Sequence, residues 1–579
     1  MTRIAEQLRG WLALPVVHVM LAAGVLGAAV ALTVPIPWPD ALEPAQVLAG
    51  VVHYPPDAPV YLYSTTTWTM LHQAAGLLLA VGITERQLAM IVTTVSGILS
   101  FQALALTVWT FAEQRAIAIA APLFIYFTNA TNASVTYPVA LIGSPATYGM
   151  IGINALLLTL ALIAAGRYRS GAWLLGLLPC IHPTIGGWAW IVVSVALALA
   201  RHDKSTITDA RRAWRWFFAG ATLAVLSAVA HFARYPFVTM APGQQAHYLR
   251  VFVTFWDSHS HLYGGERLVA AACLAGFYLL LLRDAQSGLT AGARFMCRCI
   301  LLGALLGSAW WMVGFIQPVD TLRLTRSLMP SRLINLPIMT GMAIVVGLLA
   351  RERARWAAAT LFALAAVVCD SGVTQVTLAA LGAAIGVWTV ARWRGVSSPF
   401  WSGSAVRAWH TAAILLMCVP APILIARSIA ERADGPPLTD RTNNAFLGAV
   451  AARPGMLLTA ANLHLLQAVT RRPVLVDGGG IDALGYVPQM GPRLEIILRD
   501  VYGISLIAPG FSEPQGELPP DTGRALWAQR TPSEWAAIAN TYHVTDVLTP
   551  DDWDLHLPLI THGEGLRLYT IPQPPPAGW

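Results

Sequence analysis

Residues 61–82, YLYSTTTWTMLHQAAGLLLAVG, decide how often this chain crosses a membrane. The first half is rich in Thr, Ser, His and Gln, and the second half is apolar. As a helix the stretch is amphipathic, which suits a helix lying along a membrane surface rather than through it. If it lies flat, the arginine clusters at 167–169, 201–215, 283–298, 351–355 and 392–394 all fall on the same side. That is the charge bias expected of cytoplasmic loops. If it crosses, those clusters fall on the wrong side. The flat reading gives thirteen spans, with the N-terminus inside and the C-terminus outside.

The composition requires a membrane. Of 579 residues, 56% are hydrophobic and only 12% are charged, against about 45–50% and about 25% in soluble domains. The net charge of +7 comes almost entirely from arginine, Lys204 being the sole lysine. Loop arginines account for it without a nucleic-acid partner. The six cysteines lie in or beside apolar runs, without the spacing of a disulfide framework, zinc pair or redox pair, and read as small packing residues. The spans are expected at about 11–35, 87–111, 116–128, 149–166, 171–183, 185–200, 216–232, 266–282, 299–316, 333–350, 356–369, 373–391 and 409–428. The fold class is therefore an all-α polytopic membrane bundle over 1–428. Its outer loops are 36–86, 129–148, 233–265 and 317–332.

From 429 to 579 the composition shifts, with sixteen acidic residues against ten basic. Short apolar runs at 456–459, 473–477, 546–550 and 566–571 read as strands. Thr531, Pro532 and Glu534 spell the start of a helix. This part is expected to be a small extracytoplasmic α/β domain.

The ionisable residues form one layer above nearly uncharged spans. Transporters and flippases, the reading from another class, place such groups within the spans and carry internal repeats. Neither feature is visible. The loop after the first span, PIPWPDALEPAQVLAGVVHYPPDAPVYLY at 35–63, holds the first acidic residues after that span. On a helix starting near Asp40, Asp40 and Glu43 share a face, and a carboxylate in a partly dry cavity can serve as a general base. Pro55, Pro56 and Pro59 stiffen the chain that presents His53, Tyr54 and Asp57. His182, beside Pro183, sits at the outer turn between two spans. Arg323, Arg326 and Arg332 lie on the outer side against the usual bias. Their planar donor forks suit phosphate oxygens.

With these parts in place, the chain resembles the type-C (GT-C) polytopic membrane glycosyltransferases. Its order of parts is similar: one outward span, an acidic first outer loop, a surface helix, many further spans and an outer soluble domain. PVYLYSTTTWTMLHQAAGLLLAVGITERQLAMIV at 59–92 is similar to that family's passage from a Pro-rich loop through a surface helix into the second span. SPATYGMIGINALLLTLALIAAGRYRSGAWLLGLLPCIHP at 144–183 is similar to its fourth-to-fifth span segment. The resemblance implies inverting sugar transfer from a polyprenyl-phosphate-linked donor to a glycan, lipid or protein acceptor outside the cytoplasm. It implies Asp40 as base with Glu43 in reserve. His53, Tyr54, Asp57, His182, Arg323, Arg326 and Arg332 are then candidates for substrate binding. The first loop lacks the two-aspartate motif of metal-dependent members, so no cofactor is assigned, and a divalent metal stays open. Membrane lipids are the other expected partners, and a bacterial inner membrane is the expected location. Within the enzyme class, a surface-polysaccharide polymerase or ligase using a lipid-linked oligosaccharide is the alternative. A non-catalytic assembly protein is a third reading.

Overall fold

The structure is a computed structural model. It describes residues 14–33, 42–127, 135–136, 141, 148–200, 204–257, 265–283, 289–313, 325–350, 444–461, 463–511 and 515–572. The expected spans at 356–369, 373–391 and 409–428 lie outside these residues, as do Asp40 and Arg323.

The described residues up to 350 are mainly helical. In order come α1 (Pro15–Leu32), α2 (Leu42–Leu48), α3 (Pro59–Thr66), α4 (Met70–Ala80), α5 (Glu85–Ala112), α6 (Arg115–Phe127) and α7 (Tyr148–Ala164). They are followed by α8 (Tyr168–Ile181), α9 (Pro183–Leu199), α10 (Lys204–Arg234), α11 (Pro242–Val251), α12 (Gly265–Arg283), α13 (Ala291–Val313) and α14 (Leu336–Ala350). Among the described residues, five stretches are long and apolar enough to cross a membrane: Pro15–Leu32, Glu85–Ala112, Arg212–Arg234, Ala291–Val313 and Pro330–Leu348. Shorter apolar helices accompany them. The protein is thus built as a membrane protein.

The deciding stretch at 61–82 is not one helix. α3 ends at Thr66, and α4 begins after Thr69, whose hydroxyl accepts the His72 backbone N–H. A run of Thr65, Thr66 and Thr67 explains the break, because β-branched residues lose rotamer freedom in helices. Eight and eleven residues extend roughly 12 and 17 Å. Neither helix can cross a hydrocarbon layer of about 30 Å.

Pro330–Leu348 is entirely buried and runs through the core shared by α5, α7, α12 and α13. α10 lies at the periphery. Its Val225, Leu226 and Val229 are about 60% exposed, an apolar face suited to lipid. Where α1 meets α5, Gly27 and Gly97 face each other so closely that a Cβ on either would overlap the other's carbonyl oxygen. Small residues let transmembrane backbones approach in this way.

The C-terminal part holds a four-stranded sheet of order β1-β2-β4-β3: β1 (Met456–Thr459), β2 (Val544–Pro550), β3 (Leu559–Gly563) and β4 (Leu566–Thr570). β1 runs parallel to β2, and the other pairs are antiparallel. Helices α15 (Ala445–Ala451), α16 (Leu466–Thr470), α17 (Gly491–Ile497), α18 (Arg524–Gln529) and α19 (Pro532–Tyr542) flank it. The predicted start of α19 is present as a full capping box between Thr531 and Glu534. The predicted strand at 473–477 is not formed. Val474 makes one isolated parallel bridge to Leu457, through the Pro473 carbonyl and the Leu475 N–H. On the other edge, the Val474 N–H donates to the Tyr54 hydroxyl at 2.9 Å.

The C-terminal part packs onto several of the loops read from the sequence as lying on one side. Leu62 from α3, Tyr248 from α11, Phe252 and Trp256 from the π-helical turn Phe252–Trp256, and Met329 share one hydrophobic cluster with the sheet's helices. The Trp256 indole donates to the Leu506 carbonyl at 2.9 Å. A polar seam runs alongside. Gln467 donates to the backbone carbonyl of Glu43 at 2.9 Å, and Gln46 donates to the Ala468 carbonyl at 3.0 Å. The Arg471 fork holds the Glu85 carboxylate at the start of α5, with Nη2 2.9 Å from Oε2.

Candidate functional site

Between the helix ends and the C-terminal part lies a cavity of about 540 Å³. α2 contributes Glu43 and Pro44, α3 contributes Pro59 and Tyr63, and α4 contributes His72. The turn from α8 to α9 contributes His182, and the 3₁₀ turn before α14 contributes Arg332. The C-terminal part closes it with His464, Asp477, Asp482, Tyr486 and Glu517. The volume is that of a small-molecule site.

Arg332 is the central charge, with only 1% of its surface exposed. Its Nη1 donates to His182 Nε2 at 3.0 Å, and its Nη2 donates to the Tyr486 hydroxyl at 2.9 Å. A guanidinium can only donate, so His182 Nε2 carries the lone pair and Nδ1 the proton. Nδ1–H then faces the Thr184 hydroxyl, 3.2 Å away. The Ile185 backbone N–H also approaches Nδ1, at 3.4 Å. That contact cannot be a second acceptor bond in this tautomer, and the shorter, charge-assisted bond from Arg332 decides the assignment. The sequence explains the placement: Pro183 starts α9 and leaves His182 extended at its N-cap, with the ring's Nδ1 edge over the first turn of that helix. The Tyr486 hydroxyl in turn donates to Met329 Sδ at 2.9 Å. Burial pushes the Tyr486 phenol up, against the pull of Arg332; the Asp482 and Asp257 carboxylates push the same way as burial.

Also in the lining, His464 Nδ1 lies 2.8 Å from Asp477 Oδ1, and Nε2 lies 3.3 Å from Glu517 Oε2. Asp477 Oδ2 also accepts the Leu465 backbone N–H at 3.3 Å. The bond to Asp477 raises the His464 imidazole, against a smaller opposing effect of burial, with Glu517 adding to the rise. At the α4 edge, burial pushes the His72 imidazole down to about 3, so it is a neutral group at working pH. Two non-glycine residues at the site lie in the left-handed region, the lining residue Leu465 at φ 60° and Met329, which accepts from Tyr486, at φ 47°. Such backbone costs of order 1–3 kcal/mol and gathers at functional sites.

The cavity gathers Glu43, His182 and Arg332 from the residues singled out in the sequence. Tyr54 is elsewhere, inside the seam between the two parts, donating to Gln467 Oε1 at 2.6 Å. His53 is exposed and is not among the cavity-lining residues. Asp57 is exposed as well, and it pairs with Arg493 at 3.3 Å beside a second, smaller hollow. The backbone of Arg326 lies in the short 3₁₀ turn Thr325–Leu328. Sequence reading missed His464, Asp477 and Tyr486. They stand in separate loops of the C-terminal part, without motif or periodicity; its own fold joins His464 to Asp477, and Tyr486 meets Arg332 across the contact with the helices. Among the described residues, no group of three or more His, Cys, Asp or Glu side chains is placed to hold a metal ion.

No protein-family model matches the chain, and no curated protein matches it either.

Proposed function

We propose that the chain is a membrane glycosyltransferase that takes a sugar from a polyprenyl-phosphate carrier. The supporting observation is a cavity at the edge of the helical bundle lined by both an acidic residue, Glu43, and a buried arginine, Arg332. The donor phosphate would sit against Arg332, whose plane is fixed by His182 and Tyr486. A first-loop carboxylate, Glu43 or the nearby Asp40, would take the proton of the acceptor hydroxyl. The hydroxyl oxygen then bonds to the anomeric carbon from the face opposite the phosphate. The bond from that carbon to the phosphate oxygen breaks, its electron pair leaves on the phosphate, and configuration inverts. Arg332 stabilises the charge that develops there. Carrier, acceptor and cavity would all lie on the extracytoplasmic face of a bacterial inner membrane, with the loop arginines fixing the orientation.

The test uses the purified full chain with a panel of farnesyl-phosphate-linked radiolabelled monosaccharides, alongside mass spectrometry of lipids from a deletion strain. The reading requires consumption of at least one donor and accumulation of a polyprenyl-phosphate sugar in the strain. Neither outcome occurring rejects it. In the active pair, Arg332→Gln is expected to raise the Michaelis constant for the donor roughly 10- to 150-fold, the usual worth of a hydrogen bond to a charged group. An unchanged constant removes the phosphate from Arg332. Orientation is checked separately: alkaline phosphatase fused after Trp579 should be active, and an inactive fusion places the C-terminal part in the cytoplasm.

A further inference from the structure

The polar lining of the cavity falls into two bonded groups. One is Arg332 with its neutral partners His182 and Tyr486. The other is Asp477, Glu517 and His464, joined in one chain of contacts at 2.8 and 3.3 Å. Asp482 also lines the cavity, and its charge reaches the Tyr486 phenol. Carboxylates repel a second phosphate or an acidic sugar. They do, however, accept hydrogen bonds from hydroxyl groups, and an imidazole flanked by them adds a donor.

We propose that His464, held by Asp477, forms with Glu517 the subsite for an uncharged, polyhydroxylated acceptor. This assignment rests on the glycosyl-transfer reading above and adds to it the side from which the acceptor is held. The geometry supports it in three ways. Asp477 grips both the imidazole and the following backbone N–H, so the ring is fixed before a ligand arrives. Leu465, next to it, is kept in the left-handed region. Glu517 is 65% exposed at the rim and His464 34%, so the carboxylate can turn aside and leave Nε2–H to a hydroxyl oxygen. The groups whose charge bears on this ring are Asp477 and Glu517, which both favour its protonated form. Glu43, Asp482 and Arg332 are the other charged residues that line the space.

Binding rather than turnover tests the assignment, so it fails or stands independently of the reaction. The probes are octyl glycosides of glucose, galactose, mannose and arabinose for the His464 group, and farnesyl phosphate for Arg332, each titrated onto the full chain. The wild type should bind at least one glycoside. His464→Gln, which keeps a hydrogen-bonding side chain for Asp477, should weaken that glycoside roughly 10-fold and leave farnesyl phosphate unchanged. Arg332→Gln should do the reverse. Retained farnesyl phosphate binding in His464→Gln also shows that the variant is folded. In the wild type, glycoside affinity should hold up to the ordinary imidazole range near pH 6.5. It should fall as pH rises through the higher value set by Asp477, since the bound form needs the proton on Nε2. In His464→Gln this pH dependence should vanish. A wild type that binds no glycoside overturns the assignment, as does a His464→Gln protein that binds one equally well or with the same pH profile.

Discussion

Asp546→Asn is expected to destabilise the C-terminal part by about 3–5 kcal/mol, the cost of removing one partner from a buried ion pair. Asp546 lies within β2, paired with β1 and β4 on either side, and its side chain is fully buried. Arg472 Nη2 reaches Asp546 Oδ2 at 2.7 Å with only 3% of its side chain exposed. Arg453 Nε donates to Oδ1 at 2.9 Å. Burial pulls the Arg472 guanidinium down, and the Asp546 charge opposes it. Asparagine keeps the shape and removes that opposition, leaving a guanidinium buried among backbone carbonyls of Val450, Pro454 and Gly455. Arg453 is 36% exposed, so Arg453→Gln should cost no more than about 1 kcal/mol after solvent screening. The measurement is limited proteolysis of the full chain with temperature, following cleavage between residues 444 and 572. Wild type and Arg453→Gln should be cut at similar temperatures and Asp546→Asn well below them. Equal resistance of Asp546→Asn would mean that the pair contributes no net stability.

What the sequence reveals depends on how local the cause is. Thr531, Pro532 and Glu534 mark the start of α19 because a capping box is closed within four residues. Apolar helices such as α1 and α5 are visible because lipid-facing and buried faces are both apolar, so the run is unbroken. The strand expected at 473–477 is reduced to one bridge with Leu457, and Tyr54, far away in the chain, takes the Val474 N–H on the other edge. β3 is not among the strands expected from the sequence. Glu564 and Gly565 both adopt positive φ, at 56° and 70°, in the two-residue turn that joins β3 to β4. The candidate site shows the same division. Arg332 and Glu43 stand out as charges next to apolar runs. His464 and Asp477 do not, because thirteen residues separate them and only the fold of the C-terminal part makes them neighbours. Tyr54 was picked for its stiff loop, and that stiffness serves docking: its hydroxyl both accepts from Val474 and donates to Gln467.

Glu43→Gln is expected to lower turnover about 10²- to 10⁴-fold if Glu43 is the general base, the usual contribution of such a group. The variant keeps the size of the side chain and removes its ability to hold a proton. Folding should survive, because α2 contacts the C-terminal part through the Glu43 backbone carbonyl, which accepts from Gln467 at 2.9 Å, and through Gln46, both unchanged in the variant. Farnesyl phosphate binding, which depends on Arg332, should also survive. The loss should therefore appear in turnover, with donor affinity kept. Asp40→Asn is the necessary companion, since Asp40 precedes Glu43 by three residues and is the other carboxylate of that loop. The larger loss names the base, and the smaller one belongs to a carboxylate that only shapes the field around it. The pH profile separates the two further. A carboxylate base must be ionised to accept the proton, so activity should fall on the acid side, and the variant of the true base should lose that limb while the other keeps it. If both variants retain full turnover with the acid limb intact, the proton goes elsewhere.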